Sequence, residues 1–175
     1  MNEKKFLNYM FYFGILAIPF VFFRKKPLKD WVIVYFIVGF VSGIIDNILV
    51  TRGKLKYPVK KFKNYFLVSC TFDFVLCPLL NVIYNQATYK NNAWQSFLKL
   101  FLFITPMSLF ETWLEKNTNL IKWKNGWKWY HTYISIFTKY LSVRIIMAII
   151  RYFSNLQQHV FESKSKTGLH NERIE

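Results

Sequence analysis

The sequence predicts an all-α, polytopic transmembrane helix bundle of about five spans, with four as the other reading. Three observations carry that prediction. Apolar stretches recur along the 175-residue chain, each about 18 to 21 residues long, which at 1.5 Å per residue is the thickness of a hydrocarbon core. The charged residues, 19% of the chain, gather in short clusters between these stretches, whereas a soluble domain spreads charge along every helix. Aromatic residues make up 21%, and tryptophans stand at the ends of the stretches, as at a membrane–water interface.

The first span is predicted over 6–23, bent at Pro19. No small-residue cleavage site precedes the cluster Arg24-Lys25-Lys26-Pro27, so the segment reads as a retained span and not a secretory signal. The second, 31–50, opens on Trp31 and carries Gly39 and Gly43, a spacing that lets another helix approach closely. The third, 65–84, holds Asp73 near its middle and Pro78 beyond it; the fourth, 97–114, holds Pro106. Prolines inside spans bend the helix, and neighbouring groups satisfy the carbonyls they free. The fifth, 130–150, is interrupted by Lys139 and Arg144. Residues 1–152 are thus expected to form one membrane domain, and 153–175 a polar tail with a short amphipathic start and a flexible end. Cys70 and Cys77 stand seven apart, near one helical face, and read as packed thiols rather than a disulfide.

The formal net charge of +15 lies beside apolar segments, which points to anionic lipid headgroups and away from nucleic acid. The expected partners are the bilayer itself and either another membrane protein or further copies of this chain. Orientation follows from the basic loops. A cytoplasmic N-terminus puts Lys4, Lys5, Arg52, Lys54, Lys56, Lys60, Lys61, Lys63, Lys116, Lys122, Lys124 and Lys128 inside. It leaves Arg24, Lys25, Lys26, Lys29, Lys90, Arg151, Lys164, Lys166 and Arg173 outside. The heavier loop favours a multi-pass protein of the cell membrane with its N-terminus in the cytoplasm.

Ionisable groups within a span are costly and mark candidate sites. Asp73 and Lys139 lie at matching depths from one face when the spans begin at 65 and 130, so they are expected to be able to pair, either to fix helix register or to serve a site. Asp46, Glu111 and His131 fall toward the same face. Together the five residues Asp46, Asp73, Glu111, His131 and Lys139 outline a shallow polar pocket suited to a lipid headgroup or an ion, with His131 also fitting a purely interfacial place. The chain carries no His-Glu-x-x-His, Gly-x-Ser-x-Gly, glycine-rich phosphate loop or Cys-x-x-Cys, so neither a metal nor a cofactor is expected.

The order of Arg24-Lys25-Lys26-Pro27, Lys29-Asp30-Trp31, Tyr57-Pro58-Val59, Phe72-Asp73, Pro78-Leu79, Tyr84-Asn85-Gln86, Pro106-Met107, Trp113-Leu114-Glu115-Lys116-Asn117-Thr118, Gly126-Trp127 and His131-Thr132 resembles a family of small, uncharacterised multi-pass membrane proteins of endospore-forming Firmicutes. The resemblance covers about residues 1–152. It implies a membrane bundle, with a role at the cell or spore membrane, and no activity. Two functional readings stand: first a structural or accessory membrane component that packs through the Gly39–Gly43 face or through its intramembrane polar groups, and as the alternative a membrane-embedded enzyme or small transporter that acts on a lipid or ion through the polar pocket. The orientation is open to direct test. An impermeant thiol reagent added to intact cells is expected to miss a cysteine placed in 51–64 and to label one placed in 85–95; external labelling at 51–64 would reverse the assignment.

Overall fold

The computed structural model describes residues 2–62 and 65–171, with side chains as far as residue 158. Lys63, Lys164, Lys166 and Arg173 of the charge argument lie outside the described residues or side chains. The chain divides into two compact units, Met1–Val143 and Arg144–Glu175. Helix α1 (Glu3–Phe23) is capped by the Asn2 side chain, which accepts from the Lys5 amide, with Glu3 in its first turn. Helix α2 (Leu28–Thr51) starts directly after Pro27 and ends at Gly53, whose φ of +67° suits glycine. Strand β1 (Leu55–Lys56) follows. Next come a π-helical turn (Phe72–Leu76), α3 (Cys77–Ala87), α4 (Ala93–Asn117), β2 (Lys122–Trp123) and α5 (Trp129–Asn171).

Four of these helices are long and apolar enough to cross a membrane: Glu3–Phe23, Leu28–Thr51, Ala93–Asn117 and Trp129–Gln158. Only 11% to 28% of their most apolar windows is buried within the protein, so large side chains such as Phe13, Leu16, Phe20, Phe36, Phe40 and Leu102 face outward. Exposed apolar area on that scale fits hydrocarbon and not water. The interior is correspondingly polar for a membrane bundle, with Ser42, Asp46, Asp73, Asn81, Asn85 and Lys139 all buried.

The third predicted span differs from expectation. Residues 65–69 are not helical, and the helix begins at Cys70 and ends at Ala87. Its first turns are π-helical, closed by the Cys77 amide donating to the Phe72 carbonyl. The reason lies in Pro78, which has no amide to close a regular turn onto Phe74. Tyr35 of α2 instead donates its hydroxyl to the Phe74 carbonyl at 2.7 Å, the kind of external satisfaction a proline in a span requires. The extra residue in this turn also separates the two cysteines, since Cys70 is buried against protein while Cys77 faces a cavity described below.

The connections alternate between two ends of the bundle. At the N-terminal end, β1 and β2 pair antiparallel, Leu55 opposite Trp123 and Lys56 opposite Lys122. Glu3 Oε1 there accepts from the Asn119 amide (2.9 Å) and side chain (3.1 Å). At the opposite end, Gln86 at the close of α3 donates to the Val21 carbonyl and accepts from Lys25 Nζ. Within the unit ending at Val143, Leu7, Leu55, Tyr57, Leu114, Leu120 and Ile121 form one apolar cluster, and Tyr84, Leu100, Ile104, Ile136 and Tyr140 a second. In the other unit α5 continues to Asn171, with neither proline nor glycine in it before Gly168.

Glycines set how closely the helices approach. A Cβ on Gly14 of α1 would lie 2.5 Å from Val75 Cγ1, whereas Cβ atoms on Gly43 and Gly39 would meet the Phe74 ring at 3.0 and 3.5 Å. The Gly39–Gly43 face is therefore occupied by the chain's own Phe74. Replacement by alanine is expected to destabilise the detergent-solubilised protein in the order Gly14, Gly43, Gly39, with Gly14→Ala costing about 1–3 kcal/mol. Thermal unfolding followed by loss of the monodisperse chromatographic peak checks the order, and equal effects at Gly14 and Gly39 would contradict it.

Candidate functional site

The site is built where α2, the π turn, α4 and α5 converge toward the N-terminal end. Asp46 stands five residues before the end of α2, and Lys139 ten residues into α5. Lysine side chains on a helix lean toward its N-terminus, so Lys139 reaches back and places Nζ 2.8 Å from Asp46 Oδ1. The other Asp46 oxygen accepts from the Tyr57 hydroxyl at 2.7 Å. Tyr57 lies outside the spans, beyond β1. Burial pushes its phenol well above the usual range, and the charges of Asp46, Asp73 and Glu111 add to this, so it stays a hydroxyl donor throughout the physiological range.

Asp73 does not pair with Lys139 as its sequence position allowed. The helix that carries it starts at Cys70 and not at 65, which puts Asp73 only one turn inside, on the wall of the same cavity as Asp46. Lys139 pairs with Asp46. Glu111, six residues before the end of α4, accepts from Thr132 Oγ1 at 3.1 Å, and Thr132 accepts from Trp127 Nε1 at 2.9 Å.

These groups line one cavity with about 60 Å³ of room for water centres. Leu55, Tyr57, Ile121 and Trp127 close it toward the N-terminal end, and Ser42, Cys77, Asn81, Ser135 and Tyr140 continue its wall inward. Of the five residues singled out in the sequence, Asp46, Asp73, Glu111 and Lys139 meet around this cavity. His131 does not. It is half-buried with its ring stacked on Trp127 (5.1 Å) and against Tyr130 (4.2 Å), and its Nδ1 accepts from the Lys128 amide. The pocket is also deeper than a shallow interfacial one, since the β1–β2 connection roofs it. Among the described residues, no group of three or more His, Cys, Asp or Glu is disposed to hold a metal ion.

Ser42, Tyr57, Asn81 and Thr132 belong to the cavity without having been singled out from the sequence. A signal was present for two of them. Ser42 precedes Asp46 by four residues, and Asp73, Cys77, Asn81 and Asn85 recur every four, which is the spacing of one helical face. Tyr57 gave none, because a loop residue has no periodicity. Ser42 Oγ, Asp73 Oδ2 and Asn81 Nδ2 are each buried and make no hydrogen bond within the protein. Compared with family models, curated proteins and solved structures, the chain matches none.

Removing one partner of a buried ion pair strands the other charge, so Asp46→Asn and Lys139→Met are each expected to destabilise by roughly 3–5 kcal/mol. The double variant is expected to recover a large part of that loss. The cycle for Asp73→Asn with Lys139→Met is expected to show the smaller coupling; the reverse ranking, measured by thermal unfolding in detergent, would contradict the geometry.

Proposed function

We propose that the protein is a small multi-pass carrier or channel of the cell membrane whose cavity receives a small cationic or hydrogen-bond-donating species. The observation that carries this reading is the set of unpartnered atoms on the cavity wall, Asp73 Oδ2, Ser42 Oγ and Asn81 Nδ2. A buried polar atom left without a partner costs about 1–3 kcal/mol. Such atoms persist in spans where water or a ligand meets them. Acid outnumbers base on the lining, with Asp46, Asp73 and Glu111 against Lys139, which favours a positive guest. Size narrows the class further. One water needs roughly 10–15 Å³ of such space, so a cavity of about 60 Å³ holds a few waters or an ion of ammonium size, and a whole phospholipid headgroup is too large.

A structural subunit packing through the Gly39–Gly43 face is disfavoured because Phe74 covers that face; packing through the intramembrane polar groups is the structural alternative to a carrier. In the carrier reading the N-terminus is cytoplasmic. The basic loops around Arg52, Lys54, Lys56, Lys122 and Lys124 then meet anionic headgroups at the inner leaflet.

Cys77 is a native reporter on the cavity wall. In a Cys70→Ser background, membranes treated with 2-aminoethyl methanethiosulfonate are expected to be modified at Cys77 faster than with the 2-sulfonatoethyl reagent. Asp73→Asn is expected to narrow that difference. Equal rates for the two reagents, or a preference untouched by Asp73→Asn, would remove the basis for a cation site.

A further inference from the structure

The cavity stops at Asn81, but the buried polar groups do not. Six side-chain atoms without a hydrogen-bond partner lie on Ser69, just before the third helix, and along that helix: Ser69 Oγ, Thr71 Oγ1, Asp73 Oδ2, Asn81 Nδ2, Asn85 Oδ1 and Gln86 Oε1. Each residue is at most 2% exposed. From Asp73 to Gln86 the chain advances thirteen residues, about 20 Å along a helix axis, which is most of the hydrocarbon thickness.

The groups follow one another along the chain. Asp73 and Asn81 line the same cavity. Asn85 Nδ2 donates to Asn81 Oδ1 at 2.8 Å and to the Asn81 carbonyl at 3.0 Å. Gln86 is next in the chain, donating to the Val21 carbonyl and accepting Lys25 Nζ on its own carbonyl. Lys25 belongs to the connection between α1 and α2, at the end of the bundle opposite β1 and β2. A lipid-facing helix gains nothing from such a stripe, and a helix packed only for stability would leave these groups paired or replace them with apolar ones.

We propose that the buried face of the π turn and α3 is a proton path that joins the Asp46–Asp73 cavity to the membrane face bearing the 24–27 connection. The proposal rests on the reading of the cavity as a site for a small positive species and names that species as the proton. Width is the reason. Beyond Asn81 the amides of Asn81 and Asn85 are in direct contact, a junction that a hydrated metal ion would have to break. A proton needs only a line of oxygen and nitrogen partners and a few waters. The unpartnered oxygens Asn85 Oδ1 and Gln86 Oε1 are the groups that such waters would bond. Transfer makes and breaks only O–H bonds. A proton leaves water at one face, binds the unpartnered carboxyl oxygen of Asp73 in the cavity, and is released from it to water at the other, while Asp46 keeps its ion pair with Lys139. Buried acids and amides arranged in chains serve this purpose in membrane pumps and transporters.

The test uses the purified full-length protein in liposomes that trap a pH-sensitive dye. A potassium diffusion potential set by valinomycin draws protons inward. The wild type is expected to acidify the lumen faster than protein-free vesicles, and Asp73→Asn to lose that flux. Asn85→Leu is expected to lose it too, while keeping the charge-selective labelling of Cys77. That retained labelling shows that the variant is folded and its cavity intact. Wild-type flux no greater than in protein-free vesicles, with Cys77 selectivity present, would overturn the proton path and leave the cavity reading standing. Loss of both would sink the cavity reading itself. Wild-type flux that survives Asn85→Leu undiminished would place conduction elsewhere than α3, and so overturn the proposal. Should Asn85→Leu fail to fold, Gln86→Met takes its place with the same expected loss.

Discussion

The buried pairing of Asp46 with Lys139 is the interaction on which the rest of the molecule depends. In hydrocarbon neither charge can be left alone, because nothing outside the protein solvates it. The pair therefore forces α2 and α5 to a shared level, brings Tyr57 in from the connection to complete the aspartate's hydrogen bonds, and shares its cavity with Asp73. A polar centre of this kind costs more than an apolar one of equal volume would. Its retention at a point where three further wall atoms lack partners is the physical argument for a site.

The short third helix is the element that converts this centre into a candidate route. It begins late, opens with a π turn and carries Pro78, three features that each weaken a helix standing alone. Packing compensates for all three. Tyr35 supplies the missing donor to Phe74, Gly14 admits Val75, and Gly39 and Gly43 receive the Phe74 ring. An irregular helix is thereby kept out of contact with lipid, where its freed carbonyls would be costly, and is surrounded by helices whose outer faces are apolar. π-helical turns recur at functional positions because they re-aim one side chain without ending the helix. Here that side chain is Asp73.

Much of this architecture can be read from the sequence. The long apolar stretches place α1, α2, α4 and the membrane part of α5 to within a few residues, and the clustering of charge marks the connections between them. Asp46, Asp73, Glu111 and Lys139 were recognisable as candidates because an ionisable residue in an apolar stretch needs an explanation wherever it lies. The start of the third helix is not legible in the sequence, since Tyr65, Phe66, Leu67 and Val68 are as apolar as a span while lying in a non-helical connection. That later start, by about one turn, shifts Asp73 in depth and with it the expected partner of Lys139. His131 was grouped with the site because position along a helix gives depth, whereas facing depends on how neighbouring helices rotate.

The sequence by itself determined the class of solvent around this protein, the number of crossings within one, and the residues too polar to sit in a span without reason. These follow from local composition and length, which need no knowledge of neighbours. Tertiary structure alone decided that Lys139 meets Asp46 and that Phe74 fills the glycine face. It also decided that a two-stranded connection roofs the cavity and that the amides of α3 align behind it. Each of these depends on the rotation and register of one helix against another, quantities set by the sum of many distant contacts and written in no single stretch of chain.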